Sequence, residues 1–153
     1  MWIWLHRLGS PEYAYRLATR LQPWFLWLSL PLLLIASVGG LWLVPTDYQQ
    51  KDAFRMFYAH VPVAAMSLGI YTYMAIAAAI GFVWRIKVAH AVAAAAAPIG
   101  ATFAFLALVT GSIWGKPMWG TWWVWDVRVT TELILFFMYL GYIALRDEYP
   151  GSR

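Results

Sequence analysis

Two stretches of this 153-residue sequence carry side chains whose types and spacing suit chemistry. The first is WGKPMWGTWWVWDVR, Trp114 to Arg128, in which five of fifteen residues are tryptophan. Tryptophan brings a large flat ring and an indole N–H that needs a partner when buried. Five such rings in one segment suit either a crowded membrane interface or a flat ligand. Interfacial anchoring accounts for Trp2, Trp4, Trp24, Trp27, Trp42 and Trp84. A belt needs one or two rings per helix end, so Trp114, Trp119, Trp122, Trp123 and Trp125 favour a ligand platform. Gly115, Pro117 and Gly120 break up the start of the segment and permit tight turns. Trp119 and Trp122, or Trp122 and Trp125, are spaced to share one face of a helical turn. Asp126 is placed to cap the helix that follows, and Arg128 to pair with Asp126 or with an anionic group on a ligand.

The second stretch is MFYAHVPVAAMSLGIY, which contains His60. Pro62 is acceptable in a first helical turn, which sets His60 at a helix start near a membrane boundary. Ala64, Ser67 and Tyr71 fall on the same helical face as His60, at offsets of 4, 7 and 11 residues. That face is small and mildly polar, so a ligand can approach the imidazole closely. An interfacial histidine bonded to a neighbouring helix fits the same residues. An ionisable group at the edge of a span is nonetheless a functional candidate by default.

The elements that must position these residues are membrane spans. Hydrophobic residues make up 63% of the chain and charged residues 12%, about half the usual soluble share. The absence of cysteine excludes disulfides, thiolate metal ligands and thiol nucleophiles within this chain. Four apolar runs approach or exceed the length needed to cross a bilayer, 23–44, 59–84, 91–114 and 129–145. They predict an all-α polytopic transmembrane helical bundle, residues 1–153 forming a single membrane domain with a Trp-rich outer loop at 114–128. The run Ala93–Ala97 reads as a close-packing surface. Pro98 and Gly100 are expected to bend or loosen the third helix, and Pro31 the first. Lys and Arg outside the spans number seven on the side of the N-terminus and four on the other. The richer side is expected to be cytoplasmic, which turns the Trp-rich loop outward together with His60, Lys51, Arg55, Lys116 and Arg128. The net charge of +4 then reflects topology rather than nucleic-acid binding.

A histidine, an aromatic platform and several cations on one side match haem well. Its iron suits imidazole, its ring suits indoles and its two propionates suit basic side chains. The segment WGKPMWGTWWVWDVRVT is similar to the tryptophan-rich WWD signature of haem-handling membrane proteins in cytochrome c maturation. YAHVPVAAMSLGIY and ALVTGSIWGKPMWGTWWVWDVR, at their spacing, resemble the haem exporter protein C family, CcmC. The resemblance runs from the opening MW and LH to about Leu145.

It implies a six-helix protein of the bacterial inner membrane. Such a protein holds haem b at the periplasmic face, between the WWD segment and two axial histidines. It presents the haem to the chaperone CcmE and works with the ABC-type subunits CcmA and CcmB and the small CcmD. By that resemblance His60 is an axial ligand of the haem iron. The haem-holding segment comprises Trp114, Trp119, Trp122, Trp123, Trp125, Asp126 and Arg128. The second axial histidine of the family lies in a later outer loop, past Arg153, and His6 and His90 fall on the cytoplasmic side. The chain is therefore expected to be the first two-thirds of such a protein, with both ends cytoplasmic and with haem held weakly. The expected role is binding and delivery, not catalysis. The alternative is a structural or translocating subunit of a membrane transporter complex. A translocating role is disfavoured by the scarcity of ionisable residues at the helix centres.

Overall fold

The computed structural model describes residues 9–148. Helix α1 (Pro11–Val38) runs into a π-helical turn, Gly39–Leu43. An irregular connection and a short 3₁₀ turn, Asp52–Arg55, lead into α2 (Met56–Trp84). Helices α3 (Lys87–Trp119) and α4 (Val127–Glu148) follow. The four helical stretches are each long and apolar enough to cross a membrane, in agreement with the all-α expectation.

The helices outrun the apolar sequence runs. Helix α3 has 33 residues, about 50 Å at 1.5 Å per residue, against a hydrocarbon core of roughly 30 Å. The helix is thus longer than the core is thick, and Trp114–Trp119, expected in a loop, is the last helical stretch of α3. The helix continues through Pro117 and stops at Gly120. There φ is +73°, a conformation glycine adopts without cost, and the Gly120 amide closes on the Lys116 carbonyl at 3.0 Å. Helix α4 opens at Val127, so only 120–126 is non-helical. Pro23, Pro31 and Pro98 likewise stand inside unbroken helices.

Helix α3 is the centre of the bundle. Ala93, Ala94, Ala96, Ala97, Ala101, Ala104 and Ala107 are all buried, because small side chains let neighbouring backbones approach closely. Leu135 and Tyr139 of α4 close over Ala97, Ala101 and Ala104, with Ile70 and Met74 of α2 packed alongside. Gly100 is a seat for an aromatic ring. A Cβ there would lie 2.3 Å from the Tyr139 ring. The Tyr139 hydroxyl donates to the Ser67 carbonyl at 3.0 Å, and the Ser67 hydroxyl donates to Glu132 Oε1 at 2.6 Å. A polar thread thus ties α4 to α2 across the apolar core. Helix α1 buries none of its residues.

Candidate functional site

A cavity lined by His60, Trp114, Trp119, Trp122 and Arg128 of the residues singled out in the sequence opens between α2, α3 and α4, where α3 ends and α4 begins. Its volume is about 570 Å³, within the range of small-molecule and cofactor sites. Helix α2 contributes His60, Ala64 and Leu68. Helix α3 contributes Ala107, Gly111, Trp114, Gly115 and Trp119, and the connection adds Trp122. Helix α4 contributes Arg128, Thr131 and Glu132, and Gln50 closes one edge.

His60 is the fifth residue of α2, on the face expected for it: Ala64 lines the cavity, and Ser67 and Tyr71 continue that face into the bundle, Tyr71 edge-on to Tyr139 with ring centroids 6.4 Å apart. Both readings of His60 meet here, since it bonds a neighbouring helix and also lines the cavity. Its Nδ1 lies 3.0 Å from Thr110 Oγ1. Gly111 makes room for the ring, because a Cβ there would stand 3.0 Å from His60 Cε1. Trp114 lies edge-on to the imidazole, ring centroids 5.8 Å apart, and donates its indole N–H to Gln50 Oε1 at 3.0 Å.

The five tryptophans divide. Trp114, Trp119 and Trp122 line the cavity. Trp123 and Trp125 pack edge-on against each other, centroids 5.3 Å apart, and do not line it. The expected helical spacing does not apply past Trp119, because the chain leaves the helix at Gly120. Trp119 and Trp122 are instead flanked by cations. Arg128 Cζ lies 5.6 Å from the Trp119 ring centre and Lys116 Nζ lies 5.9 Å from that of Trp122.

Asp126 caps α4 as its position suggests. Its Oδ1 accepts the Val129 amide at 2.9 Å, and its Oδ2 accepts from Arg128 Nη2 at 2.6 Å. The Val129 amide, and then the Arg128 guanidinium, hold the Asp126 carboxyl below the usual carboxylate range. Of the other cations expected on this side, Arg55 is used structurally, donating to the Leu41 and Trp42 carbonyls at 2.8 and 2.9 Å. Lys51 donates to the Tyr48 carbonyl at 3.0 Å. His90 stands in the first turn of α3, the opposite end from Trp114, with its ring against Gly81. His6 lies outside the described residues.

Sequence reasoning did not single out Gln50, Thr110, Gly111 or Glu132. Only Glu132 left a signal, a carboxylate inside an apolar run. Helix α4 starts earlier than its apolar run, which moves Glu132 to the second turn, half-buried on the cavity wall.

A family model described as heme exporter protein C matches residues 4–152. Heme exporter protein C of Haemophilus influenzae is 58% identical over 153 residues, covering 100% of this chain and 62% of that protein. Heme exporter protein C of Escherichia coli K12 is 52% identical over 157 residues, with the same coverage of 100% and 62%. Heme exporter protein C of Paracoccus denitrificans is 41% identical over 154 residues, covering 99% of this chain and 63% of that protein. The chain thus spans less than two thirds of the length of these curated relatives.

Proposed function

The chain belongs to the heme exporter protein C family, and we propose that it binds haem b as cargo in this cavity and passes it on during cytochrome c maturation. The observation that carries the proposal is the joint placement of His60, three indole rings and Arg128 around one volume. Among the described residues no other imidazole is near it, and imidazole is a good ligand for haem iron. Trp114, Trp119 and Trp122 supply flat apolar surface for a porphyrin. Arg128, with Lys116 beside Trp122, supplies positive charge for carboxylate substituents at the open side. The tryptophans stand half-exposed, Trp119 at 50% and Trp122 at 59%. A site of that kind suits holding and release rather than permanent enclosure.

In this reading the chain is not an enzyme. It sits in the bacterial inner membrane as a multi-pass protein, with the Trp-rich side periplasmic and both ends cytoplasmic. The haem is presented to the chaperone CcmE, alongside CcmA, CcmB and CcmD. Glu132, an ionisable group on the cavity wall, is the feature that favours the alternative of a translocating subunit.

The test is a haem titration of the purified chain and of His60→Ala, followed by absorbance. Binding that is lost or weakened at least tenfold in His60→Ala, with an altered visible spectrum, supports the reading. An unchanged affinity and spectrum overturns the assignment of the iron ligand.

A further inference from the structure

The cavity reading rests on His60 offering a nitrogen to iron, and a neutral imidazole has two nitrogens of which only one carries a free lone pair. Which one it is depends on what the other nitrogen does. The Thr110 hydroxyl has a single proton. It donates that proton back along α3 to the Leu106 carbonyl, with Oγ1 2.7 Å from the oxygen. Toward His60 the same oxygen is therefore left as an acceptor. The Nδ1···Oγ1 contact of 3.0 Å then fits a proton on Nδ1. Nε2 makes no hydrogen bond among the described residues, while His60 lines the cavity.

We infer that Thr110 is a positioning residue for His60. It fixes the Nδ1–H tautomer and the ring orientation, so that Nε2 presents its lone pair to a metal in the cavity. The device depends on local helix chemistry. A threonine bonding its own preceding turn is a common arrangement in apolar helices, and here it makes the hydroxyl's outward role an acceptor's. Gly111, next in sequence, gives the ring the space to reach that acceptor. An imidazole whose distal N–H donates to an oxygen is also a more basic ligand. Loss of such an outer partner typically costs about 10–100-fold in metal affinity. The inference deepens the haem-binding reading and rests on it for the identity of the metal. The tautomer itself does not depend on that reading.

The test has two arms on the full chain in detergent or lipid nanodiscs. In the first, without haem, ¹⁵N NMR of labelled histidine reads the tautomer of His60, identified by its loss in His60→Ala. Nδ1 as the protonated nitrogen and Nε2 as the bare one is the expected result. A protonated Nε2 in the parent protein overturns the inference, whatever the variants do. In the second arm, ferrous haem is added to the parent protein, Thr110→Val and Thr110→Ser. The expected result for Thr110→Val is roughly tenfold or greater weakening of binding and a lower iron–histidine stretching frequency by resonance Raman. Thr110→Ser, which keeps the acceptor, is expected to match the parent protein. Identical frequency and affinity in Thr110→Val overturns the inference while leaving His60 as ligand. If His60→Ala binds haem as the parent does, the haem reading fails instead, and the first arm still decides the tautomer.

Discussion

Single side chains around the cavity divide into those whose faces line it and those that hold the backbone. Trp119 and Trp122 belong to the first group, whereas Trp125, exposed and packed edge-on against Trp123, does not line the cavity. Covering about 60 Å² of one indole face at roughly 25 cal/mol per Å² contributes about 1.5 kcal/mol, or around tenfold in affinity. Trp119→Ala and Trp122→Ala are therefore expected each to weaken haem binding by about that factor, and Trp125→Ala to leave it within twofold, in the same absorbance titration. Asp126 belongs with the holders, and its protonation sets the pH range of the α4 start. Its folded-state pKa lies below that of the unfolded chain. The cap is thus fully in place above the unfolded carboxylate value and is lost only as pH falls through the lowered one. Hydrogen exchange of the Val129 amide, corrected for intrinsic rate, should be flat from about pH 5 to 8 and should rise in acid. Asp126→Ala should raise it at every pH. The Asp126 cap was legible in the sequence because its partner amide is three residues away. The pairings of Thr110 with His60 and of Glu132 with Ser67 were not, because the partners lie 50 and 65 positions apart and only the register between helices brings them together.

At the scale of elements, hydropathy located the four helices but not their ends. It reports the apolar part of a helix, and α3 continues past its apolar run of 91–114 to Trp119. Among the prolines and glycines, Gly120 makes the expected turn, while Pro117 does not break the segment and lies inside α3. Pro98 stands within the same continuous helix, and Gly100 seats the ring of Tyr139. Two glycine variants separate these roles. Gly100→Ala forces a methyl group into the Tyr139 ring and should cost about 1–3 kcal/mol. Gly141→Ala meets nothing within 4 Å and should be neutral or stabilise α4 by up to about 1 kcal/mol. Denaturation of the two variants in detergent micelles, read by Trp fluorescence, checks the ordering. Equal effects would show that the α3–α4 contact at Gly100 is not tight.

As a whole molecule, α2, α3 and α4 form a packed unit with the cavity at one end, and α1 buries none of its residues against them. Chain direction alone puts the α1–α2 connection and the α3–α4 connection at that same end, which is how Gln50 comes to meet Trp114. The proposed orientation follows from the Lys and Arg distribution and is open to direct measurement, because the chain has no cysteine of its own. Thr121→Cys should react with a membrane-impermeant thiol reagent added to spheroplasts, and Lys87→Cys should react only after the membrane is opened. The reverse pattern would place the cavity in the cytoplasm. The central claim, that haem iron is bound in this cavity by the His60 side chain, is tested most directly by replacing that side chain from solution. Haem is titrated into the parent protein and into His60→Gly, each with and without added imidazole. The account predicts that His60→Gly loses most haem binding and that imidazole restores both occupancy and a spectrum of imidazole-bound iron. Haem binding by His60→Gly with the affinity and spectrum of the parent protein, and no response to imidazole, would contradict it.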